Sequence, residues 1–255
     1  MQRRADVRTG ASACKLVLMQ LVIFDLDGTL TQTTSVDAEC YVRALADEAG
    51  IERINTRWSD YVHVTDSGIT EQIFLEHRGR APTPDELARL QRRFVTLLEA
   101  AFTQLPGSFT PMAGAAHALQ RLQREPDWAV AIATGSWRAS AMLKLRLAGI
   151  DIAGVPAAFA DDSVARQAIV QTVLARSRAV HGAEHFDRVV CVGDAVWDIR
   201  TATAIGAAFV GVRPDGRDAV LRNKGATHVV RDFTDFGTFL QALEQADAPN
   251  AGGGV

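Results

Sequence analysis

An apolar run, Leu21-Val22-Ile23-Phe24, stops abruptly on Asp25-Leu26-Asp27-Gly28-Thr29-Leu30. Four β-prone apolar residues read as a strand buried in a parallel sheet, and Asp25 and Asp27, at i and i+2, then place two carboxylates on one side of its carboxyl end. In an open α/β sheet that edge is where ligands sit. Two carboxylates so placed repel, and a hard cation such as Mg2+, which takes oxygen ligands, is the simplest remedy. Asp25 becomes a candidate nucleophile. Asp-Gly is also a common turn, so the segment gains meaning only if other strand ends carry matching groups, and two do. Ala129-Val130-Ala131-Ile132-Ala133 runs into Thr134-Gly135-Ser136, and Val189-Val190-Cys191-Val192 runs into Gly193-Asp194, with Asp198 four residues on.

Taken in order, these segments resemble the motifs of the haloacid dehalogenase superfamily, and within it the phosphoglycolate phosphatase and β-phosphoglucomutase-like group. Asp25-Leu26-Asp27-Gly28-Thr29 matches the first motif, the Thr134 strand end the second, and Gly193-Asp194-Ala195-Val196-Trp197-Asp198 the fourth. The third is a single basic residue, usually lysine; here Arg166, after Asp161-Asp162-Ser163-Val164-Ala165, is the best match on spacing. The resemblance covers Met19 to Leu243. It implies an α/β fold, a Rossmann-like doubly wound parallel sheet core with an inserted α-helical cap.

Carried over residue by residue, the resemblance implies that Asp25 attacks phosphorus to form an aspartyl phosphate. Asp27 acts as acid, then base, which calls for a pKa lifted toward neutrality, and its backbone carbonyl faces the metal. With Asp25 and Asp27, Asp194 ligates Mg2+, and Asp198 ligates it or holds a metal-bound water. Thr134, Gly135 and Ser136 bind phosphate at a helix N-terminus, although Thr134 also reads as an ordinary N-cap. Arg166 neutralises the nonbridging oxygens in the transition state. Lys144, about two turns into its helix, is the rival cation and is expected to lie too far from the strand end.

The elements that must hold these residues follow from periodicity. Between Leu30 and Pro111 the pattern is helical, with helices over Val36 to Ala49, closed by Gly50, and Pro84 to Gln104, whose Leu87, Leu90, Phe94, Leu97, Leu98 and Ala101 recur at helical spacing. This insertion resembles the family's cap, a mobile lid. Between its helices, Val64 to Thr70 is turn-rich; Asp66 reads as the N-cap of a helix running to His77, and Thr65, Asp66 and Ser67 are weaker candidates for substrate contact. After Pro111 strands and helices alternate, with strands over Trp128 to Ala133, Val155 to Phe159, Arg188 to Val192, Ala207 to Val212 and Thr227 to Val230. Helices cover Met112 to Arg124, Ser136 to Ala148, Val164 to Arg178, Ala195 to Ala204 and Phe236 to Gln245. Such alternation implies right-handed crossovers in a parallel sheet. The expected division is a core of residues 19–31 and 109–246, a cap of 32–108, a dispensable extension at 1–18 and a disordered tail at 247–255. Trp197 is expected to pack under its loop.

Composition bounds the partners. A formal charge of −3 over 255 residues gives no basic field for nucleic acid, and no stretch has the apolar length of a membrane span. Cys14, Cys40 and Cys191 lack paired spacing, consistent with a reducing, cytoplasmic setting. The expected partner is a small phosphorylated metabolite, and the expected assembly a monomer or homodimer. Within the family, Asp27 argues for phosphate esters, since a departing halide needs no proton donor two positions after the nucleophile. A phosphatase is therefore the first expectation. The alternatives are a sugar phosphomutase of the β-phosphoglucomutase type and a noncatalytic binding protein on the same fold.

Overall fold

The computed structural model describes residues 19–249; the expected extension at 1–18 and the end of the tail, 250–255, lie outside them. Six parallel strands form one sheet among the described residues, in the order β3-β2-β1-β4-β5-β6. They are β1 (Gln20–Phe24), β2 (Trp128–Ala133), β3 (Ala157–Ala158), β4 (Arg188–Gly193), β5 (Ala208–Val212) and β6 (His228–Val230). This is the doubly wound order, and the direction of winding reverses between β1 and β4. β1 is paired along its whole length on both sides, with β2 from Gln20–Trp128 to Phe24–Ile132 and with β4 from Gln20–Arg188 to Phe24–Val192. A strand enclosed in this way must be apolar on both faces, which explains the continuous Leu-Val-Ile-Phe run.

The helices α4 (Ala115–Leu122), α5 (Arg138–Leu147), α6 (Arg166–His181), α7 (Val196–Ile205), α8 (Ala219–Arg222) and α9 (Phe236–Gln245) cover the two faces. Val22, Phe24, Val130 and Val192 pack on one side with Phe233 and Phe239, while Leu21, Ile23 and Ala131 meet Ile169 and Val173 of α6 on the other. Strands β2 and β4 and helix α9 match the sequence expectation to within one residue. Other elements are trimmed: β3 is two residues rather than five, α4 begins at Ala115 rather than Met112, and α5 begins at Arg138 rather than Ser136. The short helix α8 carries no amphipathic period long enough to read.

Between β1 and β2 lie α1 (Thr34–Ala49), α2 (Asp66–Arg78) and α3 (Pro84–Gln104), with a 3-10 turn at Trp58–Asp60. Helix α3 has the bounds its sequence predicts because Thr83 and Glu86 form a reciprocal capping box ahead of Pro84. These helices have their own apolar cluster, in which Tyr41, Leu45, Phe74, Leu90, Phe94 and Leu98 are buried. Trp137, Leu143 and Ala160, from the segments around α5 and β3, enter the same cluster, so the helical layer is seated on the carboxyl edge of the sheet.

Candidate active site

The ends of β1, β2 and β4 lie side by side, which brings Asp25, Thr134 and Asp194 to one rim. Asp25 remains part of the sheet, its N–H donating to Val192 O at 2.9 Å, so strand pairing fixes the carboxylate. Gly28 has φ +82°, and a Cβ there would stand 2.3 Å from Asp194 Oδ2. Glycine is required at this position both for the left-handed backbone and for the approach of the acid. Gly193 gives Asp198 the same room, a Cβ falling 2.5 Å from Asp198 Oδ2. Asp198, in the first turn of α7, is anchored by Ala195 N–H at 3.1 Å.

Asp25, Asp194 and Asp198 each offer a carboxylate oxygen within 4.8 Å of the others. Arg166, at the first residue of α6, donates through Nη1 to Asp25 Oδ1 at 3.0 Å and to Asp198 Oδ1 at 2.9 Å. Its expected place at the site is thus where the structure puts it. One guanidinium does not balance three carboxylates, of which Asp25 and Asp198 are buried and Asp194 is half-buried. Burial raises the Asp25 pKa against the opposing pull of Arg166. Burial, then Asp198 and Asp25, hold Asp194 well above the usual carboxylate range, and burial with Asp25 pushes Asp198 up to about 7. An all-oxygen donor set with excess negative charge suits a small divalent cation, so the residues fit Mg2+.

Asp27 behaves differently from the sequence expectation. Its carboxylate turns away from that trio, accepting from Thr33 Oγ1 at 2.5 Å, Ser136 Oγ at 2.7 Å and Lys144 Nζ at 2.6 Å. Lys144 was expected to be too remote; instead it is fully buried and also reaches Asp37 Oδ1 at 2.6 Å. The two turns of α5 run back beneath the rim, which brings a long side chain to the acid. Burial alone would raise the Asp27 pKa, but the Lys144 ammonium and three hydrogen bonds outweigh it, and the pKa is lowered rather than lifted. Asp37 shares the same cation yet is pushed up to about 6, because burial and the neighbouring Asp27 prevail.

The Thr65-Asp66-Ser67 segment joins the helical layer to the sheet edge. Thr65 Oγ1 donates to Val164 O at 2.7 Å, Ser67 Oγ donates to Ala160 O at 2.8 Å, and Asp66 N–H donates to Gly135 O at 2.7 Å. In return Trp137 donates its N–H to Asp66 Oδ2 at 2.8 Å and its Nε1–H to Ser67 Oγ at 2.9 Å. The N-cap of α2 is Thr65, not Asp66. Asp66 is free of the capping role because its carboxylate serves the Trp137 amide. Thr134 likewise does not cap α5, whose N-cap is Trp137; its hydroxyl accepts from Ser136 N–H at 3.2 Å. Gly135 is buried beneath Arg166 and Val64, where a Cβ would lie 2.7 Å from Arg166 Nη2 and 2.9 Å from Val64 O.

These groups line one cavity of about 150 Å3, walled by Asp25, Asp27, Thr134, Gly135, Ser136, Arg166 and Asp194 from the sheet edge and by Asp37, Tyr41, Trp58 and Asp66 from the helical layer. Trp197, the second residue of α7 and half-buried, lines it too, where the expectation was packing under its loop. Sequence reasoning missed Asp37, Tyr41, Trp58 and the position of Lys144. Lys144 carried a readable signal, a cation inside Ala141-Met142-Leu143-Lys144-Leu145 where the helical period calls for an apolar residue.

A family model of haloacid dehalogenase-like hydrolases matches residues 19–206. The chain is 28% identical over 188 residues to a phosphoglycolate phosphatase of Cereibacter sphaeroides, covering 74% of this chain and 82% of that protein. Among solved structures, a hydrolase from Pseudomonas syringae superposes with a TM-score of 0.62 at 25% identity, over 88% of this chain and 99% of that one. CbbY from Rhodobacter sphaeroides, in complex with phosphate, superposes with a TM-score of 0.58 at 19% identity, over 86% and 96%. The rim of strand-end carboxylates, the doubly wound sheet and the matched model agree, and the chain belongs to the haloacid dehalogenase-like hydrolases.

Proposed function

We propose that the protein is a Mg2+-dependent phosphatase of a small phosphorylated metabolite, working through an aspartyl phosphate on Asp25. The observation that carries this reading is the meeting of Asp25, Asp194 and Asp198 within 4.8 Å, with Arg166 bridging two of them. Residues 32–108 serve as the cap over a core of 19–31 and 109–246.

Asp25, Asp194 and Asp198 would hold Mg2+, which supplies charge neutralisation and orients the phosphoryl group. An Asp25 oxygen attacks phosphorus and the bond from phosphorus to the alcohol oxygen breaks. Thr134 Oγ1, the Gly135 N–H and Arg166 receive the nonbridging oxygens as their charge grows. Asp27 is held in its ionised form by Lys144, so it is poised as the base that removes a proton from the water cleaving the aspartyl phosphate. To protonate the departing alcohol it must first take up a proton against the pull of Lys144. Hydrolysis of p-nitrophenyl phosphate with Mg2+, with EDTA, and by Asp25→Asn tests the reading. Activity that survives both EDTA and the substitution would refute it.

A further inference from the structure

The cavity wall supplied by α1, the Trp58–Asp60 turn and α2 has a particular chemistry. It presents two carboxylates, Asp37 and Asp66, and two rings, Tyr41 and Trp58, the rings meeting edge to face with centroids 6.0 Å apart. Among the described residues lining the cavity the one Arg or Lys is Arg166; its Nη1 is engaged by Asp25 and Asp198 and its Nη2 by Val64 O at 3.4 Å, which leaves only its buried Nε without a partner. Lys144 offers nothing more: its three N–H groups are taken by Asp27, Asp37 and Ser136, the full donor inventory of an ammonium. That single cation is shared between two carboxylates, so carboxyl groups outnumber cations on this wall. A carboxylate or second phosphate on the leaving group would be brought against these two carboxylates with no unshared cation beside them, and like charges brought together in a desolvated pocket are strongly disfavoured. A hydroxyl or ammonium would meet Asp37 and Asp66, and an ammonium would also gain from the ring faces.

Resting on the phosphatase reading, we propose that the substrate is a small phosphomonoester whose leaving alcohol bears a hydrogen-bond donor and no second anion, with Asp66 and Asp37 receiving the donor beside Tyr41 and Trp58. A cavity of about 150 Å3, the size that admits benzene, leaves room for only a few atoms beyond the phosphoryl group. The same wall has no cation of its own for the second phosphate of a sugar bisphosphate, which a sugar phosphomutase has to hold between its two half-reactions.

Three phosphomonoesters of equal length test this: 2-phosphoglycolate, 2-hydroxyethyl phosphate and phosphoethanolamine, which end in carboxylate, hydroxyl and ammonium. Their binding to Asp25→Asn protein in Mg2+ is measured by calorimetry, and their turnover by the unsubstituted enzyme is measured alongside that of p-nitrophenyl phosphate. The hydroxyl or the ammonium ester, or both, should bind at least ~10-fold more tightly than phosphoglycolate, and Asp66→Asn, its Tm confirming that it folds, should narrow that ratio several-fold. Which of the two binds best identifies a polyol or an amino alcohol as the leaving group. Phosphoglycolate binding as tightly as the other two, or a ratio unmoved by Asp66→Asn, overturns the proposal. Absence of all turnover, p-nitrophenyl phosphate included, would instead count against the phosphatase reading, while the binding order still decides this one.

Discussion

Lys144 Nζ lies 2.6 Å from Asp27 Oδ2, in full burial on the underside of the site. The pair takes the place of a water shell for both groups, and Asp37 completes it at the same distance. Substituting Lys144→Met leaves two largely buried carboxylates without their cation. Removing one partner of a buried ion pair costs roughly 3 kcal/mol or more, so Tm should fall by roughly 6–12 °C for a chain of this size. The Asp27 pKa should rise, moving the acidic limb of the kcat/KM profile to higher pH. Thermal denaturation and a pH–rate profile check both.

Stability should depend on pH and Mg2+ together. Asp198, pushed up to about 7, and Asp37, at about 6, bind protons more strongly folded than at the ordinary value of 3.8. Groups of this sign contribute stability that is present below pH 3.8 and lost as pH climbs through the folded value. Metal-free protein should therefore lose stability from about pH 4 to pH 7. Asp27, with its lowered value, acts in the opposite direction, and only below that window. Because Mg2+ requires the ionised carboxylates, the Tm increase it produces should grow from pH 5 to pH 8. Melting curves with and without MgCl2 across this range give the answer, and a Mg2+ effect independent of pH would contradict the ligand set.

Gly28→Ala should damage the site without damaging the core. The added methyl would fall 2.3 Å from Asp194 Oδ2 at φ +82°, and a left-handed non-glycine residue costs roughly 1–2 kcal/mol. Displacing Asp194 should weaken Mg2+ dependence by roughly 10-fold or more, as the loss of a well-oriented ligand does. Titrating activity against Mg2+ for the variant and the parent measures this.

Trp137 and Ser67 connect the helical layer to the sheet edge. Ser67→Ala removes the acceptor of Trp137 Nε1 and the donor to Ala160 O, and stranding a buried polar group costs roughly 1–3 kcal/mol. If residues 32–108 open and close over the rim, KM should rise more than kcat falls, because closure positions the ester. Steady-state kinetics on p-nitrophenyl phosphate, with Tm as a check on folding, separates the two.

The strands and the acids were legible because each obeys a local rule. Leu21 to Phe24 announces a buried strand by composition, and Asp25, Asp194 and Asp198 follow strand ends at fixed spacing. Helices with a capping box, such as the one opened by Thr83, could be bounded to the residue. What could not be read depends on contacts between segments distant in sequence. Asp27 and Lys144 are 117 positions apart, so no local pattern pairs them, and the sign of the Asp27 pKa shift follows from that pairing. Asp66 reads as a cap until the Trp137 amide, 71 positions away, is seen to claim its carboxylate.

Because β1 is hydrogen-bonded on both sides along its whole length, Asp25, the proposed nucleophile at its end, belongs to the part of the protein that opens last. Local fluctuations release edges and surface helices long before a central strand. The helical roof can thus loosen and re-form many times while the Asp25 carboxylate keeps its position, and on heating any chemistry it carries should disappear only when the whole sheet comes apart.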